Sequence, residues 1–161
     1  MKHAKESIYL DSSVPSAYFD QRVSWRMEYT REWWRDALKE YRAYISPTVL
    51  VEITRTQDHS IREQLLQLVL NIPQLELTET IEQIATGYIH QNILPPTAFA
   101  DALHVATASY HKIDFLVTWN CQHLAEAHRR RQVRLLNTMA GLFAPEIVTP
   151  MELEIRKGGL K

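Results

Sequence analysis

Short apolar segments alternate with longer amphipathic ones along this 161-residue chain, and that alternation restricts its fold more than any other feature. Lys5–Leu10 and Asp114–Thr118 each contain a run of apolar residues bounded by polar ones, which is typical of a buried strand. Helical periodicity is found between and around them, over Pro15–Tyr41, Ile61–Val69, Thr80–His90 and Ala98–Tyr110. Strands that alternate with helices predict an α/β fold with a mainly parallel central sheet.

Further short elements are predicted between these segments. Ala43–Ser46 is predicted as a strand that Pro47 stops, with Thr48 capping the helix that follows. The remaining predicted strands are Leu75–Leu77, Val133–Leu136 and the terminal IVTP segment. We find no internal repeat and no linker, so the sequence predicts one domain over residues 1–161.

The composition is that of an ordinary globular protein, with 45% hydrophobic and 23% charged residues. A single cysteine, Cys121, excludes an internal disulfide framework and favours a reducing compartment. No run approaches the roughly 20 apolar residues of a membrane span, and the first residues lack the apolar segment of a secretory signal. We therefore expect a cytoplasmic protein without a membrane segment.

Positive charge is local rather than global. The formal net charge is −1, so no overall basic field points to nucleic acid. Arg129, Arg130 and Arg131, followed by Arg134, nevertheless form a basic cluster. Two interpretations stay open: a solvated helix end, or a patch that contacts phosphate groups.

Aromatic residues recur along the first long helical segment. Trp25, Tyr29 and Trp33 are spaced four residues apart and would share one face. Such a stripe is more typical of a core or an interface than of a cofactor site. One hypothesis is therefore a dimerising protein whose aromatic helix recruits a protein partner.

Three carboxylates occur in apolar surroundings. Asp11 follows IYL, Glu52 lies within VLVEI, and Asp101 lies within AFADALHVATA. Each has an ordinary structural explanation: Asp11 as a turn or N-cap residue, the other two as acids near a helix start. Burial of an acid costs several kcal/mol unless a partner or metal compensates, so three such acids together favour a shared site.

Clustered carboxylates match the chemistry of Mg²⁺ or Mn²⁺, which prefer oxygen ligands. A divalent cation relieves the repulsion between converging acids, lowers the pKa of water and neutralises charge on a phosphodiester. Zinc is disfavoured because the chain has one cysteine and no short paired histidine motif.

Four segments occur in order and carry a resemblance: IYLDSSV, SPTVLVEI, PPTAFADALHVATA and DFLVTWNCQHLA. They resemble the signature segments of the PIN-domain family, in its VapC-like branch of toxin–antitoxin ribonucleases, and IVTPMEL is similar to that branch's last strand. The resemblance implies a three-layer α/β/α sandwich and a divalent-metal-dependent ribonuclease. It also implies an antitoxin protein as a possible partner, and we expect a homodimer.

By motif position, the resemblance makes Asp11, Glu52 and Asp101 the metal-binding acids. The family's fourth acidic position falls on Asn120, which offers a neutral oxygen, so one metal ion is better supported than two. A catalytically inactive binding module for RNA or protein is the alternative that this departure motivates.

Several neighbours of these positions have two interpretations. Ser13 and Thr118 are predicted to orient water or phosphate oxygens, or else to be turn and cap hydroxyls. His104 lies one turn after Asp101 on the same helical face and is either structural or catalytic. His123 is either a capping residue or part of the rim of the site. If RNA is the substrate, the basic cluster from Arg129 would contact its phosphates.

Overall fold

A computed structural model describes residues 4–158, and a parallel sheet of four short strands lies at its centre. The strands are β1 (Ser7–Leu10), β2 (Arg42–Tyr44), β3 (Phe115–Val117) and β4 (Glu146–Val148). Their order across the sheet is β2-β1-β3-β4, and every pairing is parallel. All four carboxyl ends therefore meet at one edge, which is where sites form in such folds.

Helices connect the strands and cover the sheet. They are α1 (Ser13–Ala17), α2 (Ser24–Asp36), α3 (Pro47–Thr54), α4 (His59–Val69), α5 (Glu79–His90), α6 (Phe99–Tyr110), α7 (Ala127–Met139) and α8 (Pro150–Gly158). Every side chain of β1 and β3 is buried, so both faces of the sheet are covered. The predicted α/β class with a parallel central sheet is thus confirmed.

The core lies between the central strands and the helices packed on them. Leu10 and Leu116 are fully buried on adjacent strands, and Trp33 of α2 is 1% exposed. Ala102 and Ala106 are also fully buried, and α6 packs closely against α5.

The predicted helix over Pro15–Tyr41 is wrong as a single element. It is divided into α1, two short 3-10 turns and α2. The Asp20 side chain accepts a hydrogen bond from the backbone N–H of Arg22, which starts a new helical turn. The predicted aromatic face is divided too, because Trp33 is buried whereas Trp25 is 57% exposed.

Two predicted strands are also wrong. Val133–Leu136 lies inside α7, where Val133 is buried whereas Leu135 is 60% exposed, so the run does not form a continuous buried strand. In place of a strand at Leu75–Leu77 there is an isolated bridge between Ile45 and Gln74.

The start of α3 also differs from its prediction. The helix begins at Pro47 with Ser46 as its N-cap residue, so Thr48 does not cap it. Proline suits this position because its fixed φ is compatible with the first helical turn, whose N–H groups have no partner within the helix. Among residues 4–158, no helix is both long and apolar enough to cross a membrane.

Candidate acidic site

Three acids, Asp11, Glu52 and Asp101, form what we call the acidic site. Asp11 directly follows β1, and its backbone N–H donates to the Val117 carbonyl at the end of β3 (3.3 Å). Glu52 is on α3, and Asp101 is in the first turn of α6. Three separate segments of the sequence thus deliver one carboxylate each towards the carboxyl edge of the sheet.

Hydroxyl groups hold Asp11 from both sides. Asp11 is 2% exposed, and its Oδ1 accepts from the Ser13 N–H (3.0 Å) and from the Ser13 hydroxyl. Its Oδ2 accepts from Thr118 Oγ1 (2.5 Å). Both predicted neighbours therefore contact the acid itself. Ser13 Oγ also accepts from the Trp119 N–H (2.8 Å), which ties this loop to the one after β3.

Glu52 is bonded to a buried histidine. Its Oε1 lies 2.5 Å from Nε2 of His104, a side chain that is 1% exposed. The other ring nitrogen of His104 lies 2.7 Å from the Tyr9 hydroxyl, which is 2.6 Å from Ser46 Oγ. The sequence predicted no partner for Glu52, so this contact is a finding of the structure.

Asp101 is bonded to two residues of the loop that follows β3. Its Oδ2 accepts from Asn120 Nδ2 and lies near His123 Nδ1, at 3.1 Å in each case. Asn120 Oδ1 in turn accepts from the His123 N–H (3.0 Å). Asn120 therefore lies at the acidic site as predicted, where its amide acts as a donor to an acid.

Electrostatics connects the three acids through His104. Burial raises the pKa of Asp11 to about 6, and the charge of Asp101 adds to the rise, while His104 opposes it. Burial disfavours a charged His104, but its bond to Glu52 and the charges of all three acids together raise the imidazole pKa. Burial likewise opposes ionisation of Glu52, but the hydrogen bond and charge of His104 outweigh this effect, so the Glu52 pKa is lowered. All three acids thus lie within electrostatic reach of one imidazole.

The donor set agrees with a hard divalent cation, because three carboxylates and a side-chain amide supply only oxygen ligands. In the part of the chain that the structure describes, however, no three His, Cys, Asp or Glu side chains are arranged to hold one ion. Each acid is instead hydrogen-bonded to neighbouring protein groups. An ion at this site would therefore have to draw the acids together.

The arginines of the predicted basic cluster make separate contacts and do not form one free basic patch. Arg129 Nη1 donates to the Ile93 carbonyl (2.5 Å), and Arg130 forms a two-pronged ion pair with Glu152 (2.7 and 2.9 Å). Arg131 is exposed. Two of the three guanidinium groups therefore already have partners within the protein.

Replacing Asn120 with Asp tests the electrostatics of this edge. The change replaces a donor to Asp101 with a second carboxylate, so we expect repulsion to lower stability without metal by about 1 kcal/mol, or roughly 2–4 °C in Tm. We expect Mn²⁺ to raise the Tm of N120D more than that of the wild type. Thermal unfolding in EDTA and in Mn²⁺ measures both; an unchanged Tm in EDTA would contradict the predicted repulsion.

The sequence predicts no role in the contacts of the site for Tyr9, Ser46 or Trp119. Tyr9 belongs to the apolar run of β1, but a buried phenol needs a hydrogen-bond partner and thereby indicates one nearby. Trp119 is 7% exposed and its indole N–H donates to Thr30 Oγ1 (3.0 Å). It packs edge-to-face against Trp25 and Tyr29, each at 6.0 Å between ring centroids.

Fold and site together define an α/β protein with an acidic site at the carboxyl edge of a parallel sheet. The model of the PIN-domain family matches residues 8–123, a span that includes all three acids. The chain belongs to the PIN-domain family. No curated protein matches it in sequence.

The solved structures that are similar to this one include a VapC toxin and a VapBC protein. VapC20 of Mycobacterium tuberculosis, a toxin that cleaves the sarcin-ricin loop, has a TM-score of 0.57 and 17% identity, covering 75% of this chain and 95% of that one. The second is a chain of VapBC2 from Rickettsia felis, in a structure bound to a DNA fragment from the VapBC2 promoter. It has a TM-score of 0.50 and 13% identity, and the match covers 76% of this chain and 93% of that one. At these identities, the comparisons support the fold.

Proposed function

We propose that this protein is a divalent-metal-dependent ribonuclease that hydrolyses RNA phosphodiester bonds at the acidic site. The observation that carries the proposal is that three acids from separate segments lie at the carboxyl edge of the sheet, one bonded to a buried imidazole and the other two within its electrostatic reach. Membership of the PIN-domain family supports it. A structural explanation of each acid alone leaves this convergence unexplained.

Asp11, Glu52 and Asp101 would hold the ion, which is Mg²⁺ or Mn²⁺. The bound cation supplies charge neutralisation at the phosphate and a lower pKa for attacking water. The raised pKa of Asp11 supports this role, because a buried carboxylate without a nearby cation is unfavourable. Asn120 adds no charge, so the donor set supports one ion rather than two.

The other residues act on the acids. Ser13 and Thr118 donate to Asp11 and keep its oxygens oriented at the end of β1. Asn120 and His123 contact the same oxygen of Asp101. We propose that these contacts set the direction in which each carboxylate faces the substrate.

RNA would be held by phosphate contacts from the basic cluster. Arg131 is exposed, whereas Arg129 and Arg130 would have to share their guanidinium groups between RNA and their present partners. Phosphate contacts position a strand without reading its sequence, and they weaken as salt increases. We therefore expect modest, salt-sensitive affinity for RNA.

We propose that this protein is the toxin of a toxin–antitoxin pair and that it acts in the cytoplasm. We also propose that it forms a homodimer, as we expect from the sequence. The similarity in fold to VapC20 and VapBC2 supports the pairing. A small protein encoded next to this one, with a DNA-binding motif, would be the antitoxin.

Metal-dependent cleavage of RNA tests the proposal. Purified protein is incubated with structured and single-stranded RNA in Mg²⁺, Mn²⁺ or EDTA, beside an Asp101→Asn variant. We expect cleavage with either metal, none in EDTA, and a loss of about 100-fold or more in the variant, since ligand removal takes several kcal/mol from the transition state.

Asp114→Asn is the matched control. Asp114 is also a half-buried aspartate, but it precedes β3 at the opposite edge of the sheet, where it accepts from the Ser7 N–H (2.9 Å). Full activity in this variant shows that loss of an aspartate alone is not the cause. RNA binding without cleavage by the wild type would instead favour the inactive binding module.

A further inference from the structure

We propose that His104 is a positioning residue that fixes the Glu52 carboxylate through a buried path of hydrogen bonds. The path consists of Ser46 Oγ to the Tyr9 hydroxyl (2.6 Å), Tyr9 to His104 Nδ1 (2.7 Å) and His104 Nε2 to Glu52 Oε1 (2.5 Å). The inference rests on the proposed function, because it gives Glu52 the role of a metal ligand.

The buried path comes from the same three elements as the acidic site. Tyr9 is on β1, the strand that ends at Asp11. Ser46 is the N-cap residue of α3, the helix that carries Glu52. His104 is on α6, one turn after Asp101. The path therefore connects the three backbone segments whose relative placement decides whether the acids converge.

Burial makes this path rigid. Tyr9 and Ser46 are fully buried and His104 is 1% exposed, so water does not compete for their hydrogen bonds. The Glu52 side chain, in contrast, is 25% exposed. Oε1 of Glu52 is bonded to the buried imidazole, while the side chain as a whole stays partly exposed at the acidic site. Hydrogen bonds of this kind from outside the ligand shell orient ligating carboxylates in metalloproteins.

The direction of the last bond follows from the charge state of Glu52. An ionised carboxylate only accepts hydrogen bonds, so Nε2 of His104 must carry the proton. Ser12, in the loop after β1, also contributes to the lowered pKa of Glu52. The buried Nε2–H of His104 therefore donates to an acid that is partly exposed at the acidic site.

A second buried tyrosine provides a matched comparison. Tyr88 is 1% exposed and donates to Asn137 Oδ1 (2.6 Å), within a network that includes Ser109. This network lies between α5, α6 and α7 and contains no acid. Removing the Tyr88 hydroxyl therefore damages a similar buried network without touching the path to Glu52.

The affinity for Mn²⁺ tests the proposal without reference to cleavage. Free Mn²⁺ is followed by electron paramagnetic resonance in titrations of wild-type protein and of the His104→Leu, His104→Gln, Tyr9→Phe and Tyr88→Phe variants. We expect H104L to weaken Mn²⁺ binding by roughly 10–100-fold, as losses of such outer contacts do. We expect H104Q to recover part of the affinity, because its amide retains a donor for Glu52. Y9F should bind more weakly than the wild type, and Y88F should bind equally well even if its Tm falls.

A double-mutant cycle with Glu52→Gln separates positioning from general damage. If His104 acts through Glu52, E52Q combined with H104L binds Mn²⁺ no more weakly than E52Q alone. Additive losses, or wild-type affinity in folded H104L and H104Q, would overturn the proposal. Absence of Mn²⁺ binding by the wild type would overturn the proposed function and this inference with it. Normal Mn²⁺ binding by the wild type and by both His104 variants would overturn this inference alone.

Discussion

Asp11→Asn is expected to abolish RNA cleavage and, in the absence of metal, to stabilise the protein. Cleavage should fall by about 100–1,000-fold, because an ion bound by the acids would lose its most buried charged ligand. Stability should rise because the variant no longer buries an ionised carboxylate, while its amide still has Ser13 and Thr118 as partners. Cleavage assays and thermal unfolding in EDTA at pH 7 measure the two effects.

The stabilisation by Asp11→Asn should depend on pH. The Asp11 pKa is raised from an ordinary value of 3.8 to about 6 in the folded state, so its favourable contribution is fully present below pH 4 and is lost as pH rises through 6. The variant lacks this titration, so its advantage in unfolding free energy should grow between pH 4 and pH 7, by up to about 3 kcal/mol. Urea unfolding in EDTA at several pH values measures it. An advantage that is equal at pH 4 and pH 7 would contradict the burial effect.

The second large effect is expected from Trp119→Ala. Trp119 is almost fully buried, and it packs against Trp25 and Tyr29 while its indole donates to Thr30. Truncation of a buried tryptophan lowers stability by about 3–5 kcal/mol. Because Trp119 lies between Thr118 and Asn120, we also expect the loop after β3 to loosen and cleavage to fall at least tenfold. Urea unfolding and cleavage assays below the unfolding transition measure the two effects.

Two variants separate packing from the indole hydrogen bond. Trp119→Phe retains most of the packing and loses the bond to Thr30, so it should cost about 1–2 kcal/mol, less than W119A. Trp34→Ala removes a half-buried tryptophan of α2 and should leave cleavage unchanged. Equal losses of cleavage in W119A and W34A would show that activity follows overall stability rather than the placement of the loop.

Much of the acidic site could be predicted because its acids interrupt apolar segments. Asp11 at the end of IYL and Asp101 within AFADALHVATA are visible without a structure, since burial of a charge requires a reason. The buried partners behind Glu52 could not be predicted, because hydrogen bonds across more than 90 residues, such as Tyr9 to His104, depend on where α6 lies relative to β1. The same holds for Trp119, whose contacts lie on α2.

The helices and strands with strong hydrophobic periodicity could be predicted from the sequence. Element boundaries that depend on a single side chain could not. The parallel sheet follows from the alternation of strands and helices. The interruption of the first long helix depends on the Asp20 side chain, and a polar residue at that position gives little signal by itself. Val133–Leu136 shows the usual ambiguity of a short apolar run, which a helix face and a strand share.

The central claim is that Asp11, Glu52 and Asp101 act together on one divalent cation. Single-turnover cleavage of RNA in saturating Mn²⁺ tests it most directly, with D11N, E52Q, D101N and the triple variant measured in parallel. Residues that act as a unit have non-additive effects, so each single variant should fall to nearly the same residual rate as the triple variant. Wild-type cleavage by any one single variant, or losses that multiply from one variant to the next, would contradict the account.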